Sequence, residues 1–275
     1  MILKRGIVIK SDLPDFADQL TINTGTNPAV DDINLFYTPG SFIPKRDWQP
    51  LNDKTKTALF DQPDKQKLSN TIRIGKVPDV IENTFRKMKL HECINPDDVY
   101  PTVRKHEEIV KHLADDLDNF FKQFSTNRQY KFHRITRAMP NRDTITCFYK
   151  NEKFTYIGLH VDRSRLYKLH TAYQSGNRIS INLGKESRYL ATVNLSLIQA
   201  YNMIKKKVSC ETLITPYNIA SLFFQHHPDY PVVKIEIKPY QYYIAPTDNF
   251  FHDATTVGMS SVDITLVYTG NFDKI

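Results

Sequence analysis

Apolar residues recur at helical spacing in the first half of the chain and at strand spacing in the second. Ile109, Leu113, Leu117, Phe120, Phe121 and Phe124 form a stripe at i, i+4, i+8, i+11/12 and i+15, which predicts an amphipathic helix entered near Pro101. Asp115, Asp116 and Asp118 fall mostly off the stripe and read as its solvated face. Val80-Ile81 and Phe85-Met88 predict a shorter helix after Pro78. From Tyr130 the period changes to two. Segments 130–135, 144–149, 179–183, 232–237 and 262–270 are rich in β-branched and aromatic residues and predict strands. Gly184 to Ser187 predicts a turn that folds 178–195 into a hairpin. Residues 197–207 and 216–225 read as helices inserted between strands. Breakers such as Pro39-Gly40, Pro44 and Pro50 make the first 75 residues read as short strands and long loops, with a short strand within 1–10.

No repeat, heptad or linker interrupts this pattern. The chain therefore reads as a single domain over 1–275, with loops, short strands and supporting helices in 1–128. A β core fills 129–275 and carries the helical insertion at about 195–227. With 275 residues, 40% hydrophobic and 24% charged, the composition is that of an ordinary globular protein. No apolar run approaches the ~18 residues of a membrane span, and Lys4, Arg5 and Lys10 break up the N-terminus too early for a signal peptide. Cys93, Cys147 and Cys210 are sparse and unspaced, which fits a reducing cytoplasm.

Charge and chemistry narrow the picture further. The formal net charge is +7, but the basic residues are scattered, which argues against nucleic acid and for an anionic small molecule as the partner. Glycine-rich phosphate loops and dinucleotide fingerprints are missing. Two short motifs stand out, His160-Val161-Asp162 and Phe251-His252-Asp253. On extended backbone an H-x-D pair projects both side chains to one face. Adding His252 gives two histidines and one carboxylate, the donor set of a facial triad that leaves three positions open on Fe(II). Asp253, next in the chain, points to the other side and reads as a residue that stabilises the turn or orients a neighbour rather than binding the metal. His226-His227 reads as a loop after the helix rather than a metal site, because adjacent residues on a strand diverge.

The order of GLHVD, RISINLGKESRYLATVNL, YYIAPTDNFFHDATT and SVDITLVYTGNF, over about 130–272, resembles the core of the Fe(II)/2-oxoglutarate-dependent oxygenase superfamily. That resemblance implies an α+β fold: a double-stranded β-helix (jelly-roll) core, an N-terminal helical buttress and a helical insertion. It implies Fe(II) held by His160, Asp162 and His252, with 2-oxoglutarate and O2 as cosubstrates and hydroxylation of an unactivated C–H bond as the reaction. Many relatives anchor the far carboxylate of 2-oxoglutarate on an arginine about ten residues after the distal histidine; here that residue is Val262. Other branches take the cation from a middle strand, which makes Arg188, Arg178 and Lys185 the candidates. Arg188 comes first because it begins a strand. Arg163 and Arg165, just past H-x-D, are candidates for holding a substrate carboxylate. A small polar metabolite, such as a free or carrier-bound amino acid, is the expected substrate, with a peptide next. Two other readings remain open: a cupin-like metalloenzyme that does not use 2-oxoglutarate, and a non-enzymatic jelly-roll binding protein.

Overall fold

The computed structural model describes residues 3–60, 68–163 and 167–274. It is a mixed α+β structure in which two large sheets carry the site. The six-stranded sheet runs, in spatial order, Val8–Ser11, Thr71–Lys76, Gln241–Ala245, Asn177–Asn182, Asp263–Gly270 and Tyr130–Ala138. Its first pair is parallel and the others antiparallel. The five-stranded sheet runs His252–Thr255, Arg188–Thr192, Val233–Ile237, Leu20–Ile22 and Gln49–Pro50. Four strands from 1–128 thus complete both sheets, where the sequence pattern showed only short strands among loops.

Alternation decides what each face of the six-stranded sheet meets. Ile179, Ile181, Tyr242, Ile244, Ile264 and Leu266 pack on one face with the helices Asp79–Lys87 and Glu107–Phe121. Phe121 meets Tyr268 at 4.7 Å between ring centroids, and Phe120 meets Tyr242 at 5.3 Å. Burying each such side chain contributes roughly 1.5–3 kcal/mol. Ile74, Tyr243 and Ala245 lie on the opposite face and join a second cluster with Leu190, Ile235 and Ile237 of the five-stranded sheet. The polar positions Arg178, Ser180 and Asn182 share that face, so it is apolar toward one end and polar toward the other.

The predicted stripe from Ile109 to Phe121 lies on one helix, Glu107–Phe121, but the run entered near Pro101 is a separate helix, Val99–Lys105, that begins two residues before it. The helices of the insertion are Leu197–Ile204, opened by a Ser196/Gln199 capping box, and Ile219–His226. An additional helix, Asp53–Phe60, occupies a stretch that reads as loop because of its polar composition. The predicted hairpin over 178–195 is a correction. Asn177–Asn182 pairs with Gln241–Ala245 and Asp263–Gly270, while Arg188–Thr192 pairs with Val233–Ile237 and His252–Thr255. Residues 183–187 cross between the sheets instead of closing a two-strand turn. Glu186 accepts the backbone N–H groups of Ser260 and Ser261 at 2.9 and 2.6 Å and ties down the crossing. Among the described residues no helix is long and apolar enough to cross a membrane.

Candidate metal centre

The site forms where the segment after Lys153–Tyr156 meets the start of His252–Thr255. Gly158 turns the chain into position at φ +69°. A Cβ there would sit 2.5 Å from the carbonyl oxygen of Phe42, so only glycine fits without strain. Two residues later, His160 and His252 form an antiparallel bridge. Asp162 is held by its own backbone, which donates to the carbonyl of Thr247 at 3.0 Å. On the far side of the distal strand, Phe251 is fully buried against Phe223 and Phe224 of the insertion, at 5.2 and 5.3 Å. The insertion helices thereby fix the backbone that presents His252.

The three side chains converge. One donor atom from each of His160, Asp162 and His252 lies within 4.8 Å of the others, the one such group among the described residues. His160 Nε2 is 3.6 Å from Asp162 Oδ1, and His252 Nε2 is 3.4 Å from Asp162 Oδ2. The outer nitrogens are tied back: Nδ1 of His160 lies 2.9 Å from the carbonyl of Gly158, and Nδ1 of His252 lies 3.3 Å from that of Phe250. A carbonyl only accepts, so both rings carry their proton on Nδ1 and aim the Nε2 lone pair inward. Burial pushes the Asp162 carboxyl upward, but the Arg178 guanidinium against it and the two imidazoles prevail and hold it well below the usual carboxylate range. Two inward imidazole nitrogens and an ionised carboxylate are the donor set that a divalent transition metal takes, so the residues fit Fe(II).

The sequence candidates separate clearly. Arg178 lies at the triad, paired with Asp162. Arg188 is buried further along the inner face, with Nε 2.9 Å from Asp263 Oδ1 and a hydrogen bond to Tyr243. Lys185 is exposed in the crossing segment, which places its charge in solvent. Arg163 is exposed and stacks over Tyr217 at 4.2 Å. Arg165 lies outside the described residues. His226 ends its helix, and the ring of His227 packs on Phe223 at 5.2 Å.

Asp253 is more than a turn residue. Only 1% exposed, it accepts from Thr146 Oγ1 at 2.9 Å and the Ala254 N–H at 2.7 Å, and its Oδ2 lies 3.6 Å from Nδ1 of His160. Its place next to His252 was the only trace of this in the sequence. The Thr146 contact spans more than one hundred residues and left none.

No family model matches the chain, and no curated protein does. Among solved structures, the apo structure of the Kdo hydroxylase KdoO, a non-heme Fe(II) alphaketoglutarate dependent dioxygenase, aligns at 11% identity with a TM-score of 0.41, over 74% of this chain and 81% of that one. What assigns chemistry to the site is its own donor set. The chain resembles the Fe(II)/2-oxoglutarate-dependent oxygenases in its His-Asp-His triad.

Proposed function

We propose that this protein is an Fe(II)- and 2-oxoglutarate-dependent dioxygenase that hydroxylates an unactivated C–H bond of a small polar molecule, such as a free or carrier-bound amino acid. The convergence of His160 Nε2, His252 Nε2 and the Asp162 carboxylate, with both Nδ1 atoms locked outward, carries this reading. It also treats the two facing sheets as a double-stranded β-helix with Asp79–Lys87 and Glu107–Phe121 as its buttress. When bound, Fe(II) with 2-oxoglutarate and O2 supplies the oxidation that converts R–H to R–OH and 2-oxoglutarate to succinate and CO2. The protein holds, orients and excludes water. Arg178 keeps Asp162 ionised and fixes one of its oxygens.

Arg188 is assigned the far carboxylate of 2-oxoglutarate. It is buried on the inner face of the five-stranded sheet, on the strand that pairs with His252. The buried Ser180 Oγ has no hydrogen-bond partner among the described residues and sits on the facing sheet. A guanidinium can meet a carboxylate through two donors, and Asp263 balances its charge when no anion is bound. The cupin-like alternative draws on Val262, which is 4% exposed and packed among apolar residues where many relatives place an arginine.

The deciding experiment adds Fe(II) and then 2-oxoglutarate under anaerobiosis, followed by O2. The expected result is a weak visible charge-transfer band and then succinate, both lost in His252→Ala. Iron binding without the band or succinate favours the cupin-like enzyme. Failure to bind iron leaves a non-enzymatic binding protein.

A further inference from the structure

The edge strand Tyr130–Ala138 carries an irregularity beside the metal centre. Its register against Asp263–Gly270 jumps from Arg134↔Val267 to Phe132↔Tyr268, leaving His133 as the extra residue of a β-bulge. In an unbroken strand Lys131 and Arg134 would face opposite ways. The bulge puts both on the inner face, while Phe132 turns out to meet Tyr268 at 5.6 Å. Two cross-strand rows result: Arg178–Thr269–Lys131 and Ser180–Val267–Arg134. At about 4.8 Å per strand, Lys131 lies about 10 Å from Arg178, the residue paired with Asp162. His133 completes the patch; the charges it feels include Arg134, Arg178 and Asp162.

Lys131, His133 and Arg134 are exposed, and none makes an ion pair among the described residues. A groove of about 560 Å³ opens at this end of the sheet, lined by Arg128, Lys131, Asn177, Asp248, Thr269 and Thr247, whose carbonyl anchors Asp162; Arg134 shares the inner face of the strand outside that lining. Arg128 and Lys131 at the groove, with Arg134 on the same face, lower the energy of an anion there at short range, against the opposing Asp248 carboxylate.

We infer that the substrate is a small anion whose carboxylate or phosphate docks on Lys131 and Arg134, on a strand about 10 Å across the inner face from the one that carries Arg178, the partner of the metal-binding carboxylate. This rests on reading His160, Asp162 and His252 as the metal centre. It requires the oxidised carbon to lie several bonds from the charged group. It also gives the bulge a purpose, since the bulge brings a second cation onto the inner face.

The test titrates the full-length, metal-free protein at low salt with phenyl phosphate, benzoate and neutral phenol, and repeats the titrations with Lys131→Gln/Arg134→Gln. Both side chains are exposed, and circular dichroism checks that the variant is folded. At least one anion is expected to bind more tightly than phenol and to lose about tenfold or more in the variant, as removal of charged hydrogen bonds requires. Which anion binds better identifies the group as phosphate or carboxylate. No anion binding, or equal binding by both proteins, overturns the inference. A short single-stranded DNA that binds far more tightly than either anion also overturns it and assigns the face to a polyanion. The charge-transfer band of the wild-type protein is read separately. If the band forms and the anions fail, the metal centre stands and the anionic substrate falls; if the band fails, the titration still decides the anion site.

Discussion

His160 and His252 exchange both backbone hydrogen bonds, His160 N to His252 O at 3.0 Å and His252 N to His160 O at 2.8 Å. Two imidazoles far apart in sequence therefore stand directly opposite each other, with ring centroids 4.9 Å apart. Backbone, not side-chain flexibility, sets their separation. A metal ion should find the site preorganised and stabilise the fold in proportion to occupancy, by about 2.7 kcal/mol at a hundredfold excess over Kd. Thermal melts with Mn(II) as a redox-silent stand-in should show Tm rising by several degrees in the wild type and staying unchanged in His252→Ala.

Arg178→Gln tests the charge on Asp162. The carboxyl is depressed below its ordinary 3.8, so in the metal-free wild type its contribution to stability is complete above that value and is lost as pH falls through the lower folded pKa. Burial is already the largest single influence, and without the guanidinium only the two imidazoles oppose it, so the carboxyl moves up. The variant should lose about 3–5 kcal/mol near neutral pH, and its deficit should narrow as acid protonates the stranded carboxyl. Urea denaturation across pH measures both. A constant deficit at every pH would mean that Arg178 acts by packing alone.

Arg188 and Asp263 form a buried pair with side chains 4% and 0% exposed. Arg188→Met alone strands a buried carboxylate and should cost about 3–5 kcal/mol, whereas Arg188→Met with Asp263→Leu should recover most of that stability. If Arg188 anchors the cosubstrate, the double variant will be folded and will still bind iron, yet its apparent Kd for 2-oxoglutarate will rise at least about tenfold. Normal 2-oxoglutarate binding by the double variant would make the pair purely structural.

What the sequence made legible is what local pattern encodes. Leu113, Leu117 and Phe121 announce their helix because neighbouring turns share one buried face, and Ile179 and Ile181 announce their strand by alternation. The H-x-D pair was legible for the same reason, since two residues on extended backbone share a side. Pairing partners were not. The stretch from Asn182 to Arg188 carries ordinary turn chemistry, and nothing local distinguishes a hairpin from a crossing to another sheet. The bulge at His133 was equally hidden, because it depends on the register against Val267 and Tyr268. Arg188, Arg178 and Lys185 are alike in sequence as candidate cations; only the assembled sheets show that Arg178 meets Asp162 and Arg188 meets Asp263.

Asp253 is the final test of how the centre is held. Its carboxyl is fully buried, and burial raises its pKa despite nearby His160 and His252. Thr146 donates to it from both backbone and hydroxyl, at 3.2 and 2.9 Å, which anchors the segment before Cys147–Lys150 against the back of the metal site. Its Oδ2 faces Nδ1 of His160, the nitrogen that must keep its proton for Nε2 to bind metal. Residues that orient a metal-binding histidine typically contribute 10–100-fold in metal affinity. Asp253→Asn keeps the shape and removes the charge, while Thr146→Val removes the hydroxyl and keeps Asp253. If the carboxylate fixes the His160 ring electrostatically, Asp253→Asn should weaken Fe(II) or Mn(II) binding by about tenfold or more, with Thr146→Val showing a smaller loss. Equal losses in the two variants would shift the role from His160 to the anchored segment, and unchanged metal affinity in both would show that the Gly158 carbonyl alone sets the ring.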